Sequence, residues 1–162
     1  MPLFRLDING TRVQDLSPLE NMQLVELNLV NTKVVDLGSI KRMPLEKLNI
    51  SQTDITSLEA LAELPLESLY LSSCPVRSLS ILANLPIKNL RLDGCLEIED
   101  FTVLTPLKDL KRLILPPEAA SPALLAQLPS LIKFGTVWPE AGWTDVPAIE
   151  QATEEPIPSA RK

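Results

Sequence analysis

Residues 45–65 read Leu45-Glu46-Lys47-Leu48-Asn49-Ile50-Ser51-Gln52-Thr53-Asp54-Ile55-Thr56-Ser57-Leu58-Glu59-Ala60-Leu61-Ala62-Glu63-Leu64-Pro65. The large apolar residues of this stretch are Leu45, Leu48, Ile50, Ile55, Leu58, Leu61 and Leu64. Upstream, Leu24, Leu27, Leu29, Val34, Leu37, Ile40 and Met43 occupy the same offsets. Downstream, Leu66, Leu69, Leu71, Val76, Leu79, Leu82 and Leu85 do so again. Pro44, Pro65 and Pro86 punctuate this 21-residue period. A fixed period of 20–50 residues is the signature of a stacked repeat architecture.

Further out, the first unit opens at Leu3 and continues through Leu6, Ile8, Val13, Leu16, Leu19 and Met22. The fifth keeps Ile87, Leu90 and Leu92, gains one residue near Leu96, and resumes at Ile98, Phe101, Leu104 and Leu107. A second extra residue at Asp109 brings it to 23. Leu110 opens a sixth unit and Leu131 a truncated seventh.

Each unit begins L-x-x-L-x-L, with polar residues between the last two apolar ones, the alternation of a half-buried strand. The three-residue step that follows suits 3₁₀ or short helical turns. Ser17-Pro18, with Ser39, Ser57 and Ser80 in later units, supplies start signals for those turns. Proline then halts each turn. A single such coil cannot bury its own apolar face, so neighbouring coils must stack.

The L-x-x-L-x-L pattern resembles the leucine-rich repeat, over residues 3–136. The resemblance implies an α/β fold: a right-handed solenoid of about six 21–23-residue repeats. A parallel sheet would form its concave face and 3₁₀ or short helical turns its convex face. Thr11-Arg12-Val13-Gln14-Asp15-Leu16-Ser17-Pro18-Leu19 is similar to the repeats of internalins. The C-terminal arrangement resembles repeat segments of large planctomycete-type bacterial proteins, which often follow a serine/threonine kinase. Where the family usually has Asn after the strand, this chain has Thr11, Thr32, Thr53, Cys74 and Cys95. These residues form a structural ladder of weaker donors. The two cysteines occupy equivalent places in adjacent coils, with parallel side chains unsuited to a disulfide, and are expected as buried thiols.

At the C-terminal side, Pro116-Pro117-Glu118 replaces the ladder turn, and Ser121-Pro122 opens a short helix over Ala123–Leu128. Trp138, Trp143, Val146 and Ile149 are expected to cap the last coil over 137–150, with a disordered tail over 151–162. At the other end no cap precedes the first coil. Leu3, Leu6, Ile8, Val13, Leu16 and Leu19 are therefore expected to be exposed there. Such an edge suits a homodimer, or a longer protein of which this is the C-terminal part.

Composition narrows the chemistry. The 162 residues include no His, so Ser-His and Cys-His nucleophile pairs and Cys/His zinc patterns are excluded. No Gly-rich loop, H-R-D or D-F-G motif of a kinase core is present. The net charge of −6 and isolated basic pairs argue against nucleic acid. No run reaches the roughly 18 apolar residues of a membrane span. No signal peptide is visible, so a cytoplasmic location is expected. Neither a cofactor nor a metal is expected; Glu97-Ile98-Glu99-Asp100 reads as a solvated bulge.

Three columns of strand residues should face outward. The first is Arg5, Glu26, Lys47, Ser68, Asn89, Arg112 and Lys133. The second is Asp7, Asn28, Asn49, Tyr70, Arg91, Ile114 and Gly135. The third is Asn9, Val30, Ser51, Ser72, Asp93 and Pro116. Arg5-Glu26-Lys47 reads as an alternating charge ladder that steadies neighbouring strands. Tyr70 is the only tyrosine, and Tyr and Arg commonly dominate binding energy. The candidate partner site is therefore Tyr70, Asn49, Arg91, Asp93, Arg112 and Ser72, on a non-catalytic protein-interaction module. The alternatives are a targeting or regulatory arm of a larger bacterial enzyme, such as a serine/threonine kinase, and a homodimerising structural repeat.

Overall fold

The computed structural model describes residues 3–128 and 130–135. The expected cap and tail, with Trp138, Trp143, Val146 and Ile149, lie outside the described residues. Each repeat contributes one three-residue strand: β1 (Arg5–Asp7), β2 (Glu26–Asn28), β3 (Lys47–Asn49), β4 (Ser68–Tyr70), β5 (Asn89–Arg91), β6 (Arg112–Ile114) and β7 (Lys133–Gly135). They form one parallel sheet in chain order.

The repeat phase sets the register. Leu6, Leu27, Leu48, Leu69, Leu90, Leu113 and Phe134 align across the seven strands. From Leu27 to Leu113 this column is buried in one continuous core with the other apolar phase residues. The inserted Leu96 stays out of the core, 73% exposed, which lets Ile98 return to phase inside.

Short 3₁₀ turns, among them Ser17–Leu19, Gly38–Ile40, Glu59–Leu61, Ser80–Asn84 and Thr102–Leu104, cover the opposite side. The serine start signals are mostly displaced. The acceptors are Asp15, Asp36, Ser57, Ser78 and Asp100, which take the backbone N–H groups of Ser17, Gly38, Glu59, Ser80 and Thr102. Each acceptor stands two residues before its donor, the reach of an Asx or Ser/Thr turn, so the side chain closes the bend that starts the helix. Asp15 and Asp100 have lowered pKa values: in Asp15 the backbone N–H of Ser17 leads, and in Asp100 the Thr102 hydroxyl.

After each of the first five strands the chain turns through a left-handed residue: Gly10, Asn31, Gln52, Ser73 and Gly94, with φ of 67, 52, 58, 58 and 73°. The bend is the same in these five coils, whereas only Gly and Asn adopt it at low cost.

The ladder sits directly behind this bend. Thr11, Thr32 and Thr53 donate their hydroxyls to Ile8, Leu29 and Ile50 carbonyls of their own coils, at 2.7, 2.8 and 2.7 Å. Cys74 and Cys95 instead donate across to the preceding coil, at Ile50 O (3.0 Å) and Leu71 O (2.9 Å). Both thiols are free and buried. Burial pushes them up, Cys95 to about 11, so both remain protonated.

Two expectations at the ends change. Leu16 is 3% exposed rather than open, because it leads into the Ser17–Leu19 turn, which contacts the Gly38–Ile40 turn of the next coil. Leu6, Ile8, Val13 and Leu19 are half-buried, while Leu3 and Phe4 are 48% and 51% exposed. The C-terminal helix is one turn, α1 (Pro122–Leu125), with the Ser121 hydroxyl oxygen accepting from Leu124 N–H at 3.2 Å.

Candidate functional site

The outward strand residues enclose a groove of about 580 Å³ across β1 to β5. Its polar lining is Arg5, Asp7, Glu26, Asn28, Lys47, Asn49, Tyr70 and Arg91. Strand alternation turns these side chains away from the core, and the parallel register stacks them in two rows.

The N-terminal part of the groove is internally satisfied. Arg5 pairs with Glu26 at 3.3 Å. Asp7 accepts from the backbone N–H and amide of Asn9 (3.0 and 2.6 Å) and from the amide of Asn28 (3.0 Å). The Asn9 backbone bond leads in holding its carboxyl below the usual range. Asn28 and Asn49 each turn their carbonyl oxygen back to the chain, accepting from Val30 and Ser51 N–H.

The middle differs. Lys47 and Asn49 are neighbours on one face of β3, and Asn49 is in register with Tyr70 on β4. Among the described residues, the Lys47 ammonium, the Asn49 amide nitrogen and the Tyr70 hydroxyl have no partner. Glu26 is taken by Arg5, so the expected three-member charge ladder stops at two. Lys47 joins the groove instead.

Arg91 closes the far end. Its Nε and Nη2 donate to Asp93 Oδ1 and Oδ2 at 2.6 and 3.0 Å, a bidentate pair about one-fifth exposed. Burial alone would raise the Asp93 pKa, but the bonds from Arg91 and Ser72 outweigh it and bring the pKa below its ordinary value. Ser72 donates its hydroxyl to Asp93 Oδ1 at 2.7 Å and is 5% exposed. It therefore stands behind Asp93 and is not a surface contact. Ser51, one coil earlier, is also buried, and its hydroxyl has no partner among the described residues. The third column thus turns partly inward, since these residues already enter the bend.

Tyr70, Asn49 and Arg91 come together in the groove, whereas Asp93 and Arg112 are not among its lining. Arg112 is exposed on β6, and its strand neighbour Ile114, expected outward, is buried. Arg5, Asp7, Glu26, Asn28 and Lys47 also line the groove, and the sequence reading did not name them among the candidate site residues. Their shared column with Tyr70, or their place beside it, was the available signal. Glu97 is paired with Arg77 at 2.8 Å, and Asp100 serves its turn, so those two carboxylates are engaged locally.

Parallel sheet, 3₁₀ turns and ladder together define a leucine-rich-repeat solenoid. Within that class its fold is similar to those of solved internalins. An internalin (inlF) from Listeria monocytogenes matches at 24% identity and TM-score 0.68, covering 85% of this chain and 49% of its own. Internalin C2 (inlC2) from the same organism matches at 25% identity and TM-score 0.64, over 83% of this chain and 71% of its own. The functional domain of InlJ from Listeria monocytogenes, which includes a cysteine ladder, matches at 20% identity and TM-score 0.52, over 82% of this chain and 34% of its own. The chain thus spans about half the length of the inlF structure. The sequence matches no protein-family model and no curated protein.

Proposed function

We propose that this chain is a non-catalytic protein-interaction module whose partner docks in the concave groove at β3 and β4. The carrying observation is the cluster of Lys47, Asn49 and Tyr70, three hydrogen-bonding groups without partners among the described residues. Such groups are free to bond a partner without first breaking an internal contact. All three can donate, so the partner segment presents acceptors, carboxylates or backbone carbonyls, with apolar surface for the Tyr70 ring. The strands are fixed by their neighbours, so little ordering accompanies binding. Arg91, locked by Asp93, bounds the site with a guanidinium held in place.

The test is affinity capture from the source organism, followed by titration of the purified captured protein. Tyr70→Ala with Lys47→Glu is expected to weaken its binding at least tenfold while leaving the far-ultraviolet circular dichroism unchanged. A captured protein that binds both forms equally would place the interface elsewhere.

A further inference from the structure

Among the described residues, Lys47 is the one charged group lining the groove with neither an ion pair nor a hydrogen bond. Arg5 is balanced by Glu26 and Arg91 by Asp93. Three bonds donated by Asn9 and Asn28 hold the Asp7 carboxylate. Lys47 therefore leaves an uncompensated positive charge over β3. Asn49 stands two residues on along the same strand, about 6–7 Å away at ~3.3 Å per residue. Tyr70 is in register with Asn49, one strand spacing of about 4.8 Å further. An ammonium, an amide nitrogen and a phenolic hydroxyl thus share one face, within reach of a single bound group.

Few groups satisfy three such donors at once. The Asn49 carbonyl oxygen already accepts from Ser51 N–H, so that side chain has only its nitrogen to offer. A backbone carbonyl presents one oxygen with two lone pairs and no charge, too little for three donors. A side-chain amide presents one oxygen and one NH₂, and the NH₂ sets a donor against a donor whichever way it is turned. An ionised carboxylate presents two oxygens with about four acceptor positions, and it supplies the charge that Lys47 lacks. Its bonds to an ammonium are also the stronger, charge-assisted kind.

The groove extends to both sides of this cluster. From β1 to β5 it spans about 19 Å, four strand spacings of roughly 4.8 Å, with β3 and β4 in its middle. An extended segment of about six residues fills that length at ~3.3 Å each, with its acidic residue near the centre. A chain that ended at Lys47 would leave half the groove empty.

We propose, resting on the docking site assigned above, that the groove recognises an aspartate or glutamate side chain within an extended partner segment and selects the carboxylate over its amide. Lys47 supplies the charge, while Asn49 Nδ2 and the Tyr70 hydroxyl orient the two oxygens. Arg91 keeps its own carboxylate partner and does not have to move.

NMR titration of the isotope-labelled chain with blocked peptides tests this, read at the Asn49 side-chain amide and the Tyr70 ring. The probes are acetyl-Ala-Leu-Glu-Leu-Ala-amide, the same peptide with Gln for Glu, and acetyl-Ala-Leu-Leu with a free C-terminal carboxylate. The Glu peptide should shift both signals and bind at least tenfold more tightly than either of the others. Lys47→Arg should keep the Glu-to-Gln ratio, whereas Lys47→Gln should reduce it at least fivefold with unchanged circular dichroism. Tyr70→Phe keeps the ring and loses one donor. It should also lower the ratio, and it decides the matter if Lys47→Gln fails to fold. Equal binding of the Glu and Gln peptides, or no shift at millimolar Glu peptide, overturns the proposal. So does tighter binding of the free C-terminus, or a folded Lys47→Gln variant that keeps the ratio. The docking site falls separately, if a captured partner protein shifts neither Asn49 nor Tyr70. A captured protein that shifts both, with Glu and Gln peptides bound alike, leaves the site standing and removes the carboxylate selectivity.

Discussion

Arg91 and Asp93 face each other through two hydrogen bonds, Nε to Oδ1 at 2.6 Å and Nη2 to Oδ2 at 3.0 Å, with Ser72 behind the same carboxylate. The pair spans the strand end and the following bend, so it ties the concave surface to the turn.

Asp93→Asn should therefore lower stability by about 1.5–3 kcal/mol at neutral pH, the usual worth of hydrogen bonds to a charged group. The Asp93 pKa is depressed in the folded state. Its contribution is thus present above the unfolded value of about 3.9 and is lost as pH falls through the folded value. Urea unfolding of both forms from neutral to acid pH checks this. The stability gap should be constant above about pH 5 and close below the unfolded pKa.

Cys74 and Cys95 should react with a disulfide reagent such as Ellman's only on unfolding, because burial keeps both protonated and shielded. Cys95→Thr keeps a donor, while Cys95→Val removes it. Leu71 O still accepts from Cys74 N–H at 3.0 Å, so the Val variant leaves no orphaned carbonyl. It should cost no more than about 1 kcal/mol in chemical denaturation.

The left-handed bend makes opposite predictions at its glutamine and glycine rungs. Gln52 at φ 58° carries a side chain where glycine is favoured, so Gln52→Gly should raise stability by about 0.5–1 kcal/mol. At Gly94 an added Cβ would lie 2.7 Å from Ser73 Oγ, whereas at Gly10 it meets nothing within 4 Å. Gly10→Ala should cost about 1–2 kcal/mol and Gly94→Ala more. Combining Gly94→Ala with Ser73→Gly should recover the excess, a coupling visible in a double-mutant cycle of thermal unfolding.

Leu69 lies fully buried at the centre of β4, with Leu48 and Leu90 as its strand neighbours. Leu69→Ala should cost about 2–5 kcal/mol by calorimetry, combining lost transfer energy with a cavity between coils. Ala at the exposed Leu96 should change stability by less than about 0.5 kcal/mol.

The fold was legible because stacking imposes one period on the whole chain. Leu6, Leu27, Leu48, Leu69 and Leu90 repeat every 21 residues, and each must meet the next in the core. The candidate groove was legible in part. Tyr70, Asn49 and Arg91 were placed on one face by strand alternation alone, and the groove gathers them. Lys47 was read as a member of a charge ladder, since residue type does not reveal that Glu26 would choose Arg5. Ser72 was read as a surface contact, since alternation does not reveal where a strand ends and its bend begins.

By itself, then, the sequence determined the coil length, the seven strands, the ladder positions and the phase of the core. These follow from local spacing repeated under one burial constraint. Only the tertiary structure decided that Cys74 and Cys95 donate to the preceding coil while the threonines serve their own. It alone showed the left-handed column at Gly10, Asn31, Gln52, Ser73 and Gly94, two of whose members carry no local signal. It also decided which groove groups keep their donors unused. Those outcomes depend on distances of a few ångströms between coils, and a residue's type and spacing do not set such distances until its neighbours are packed.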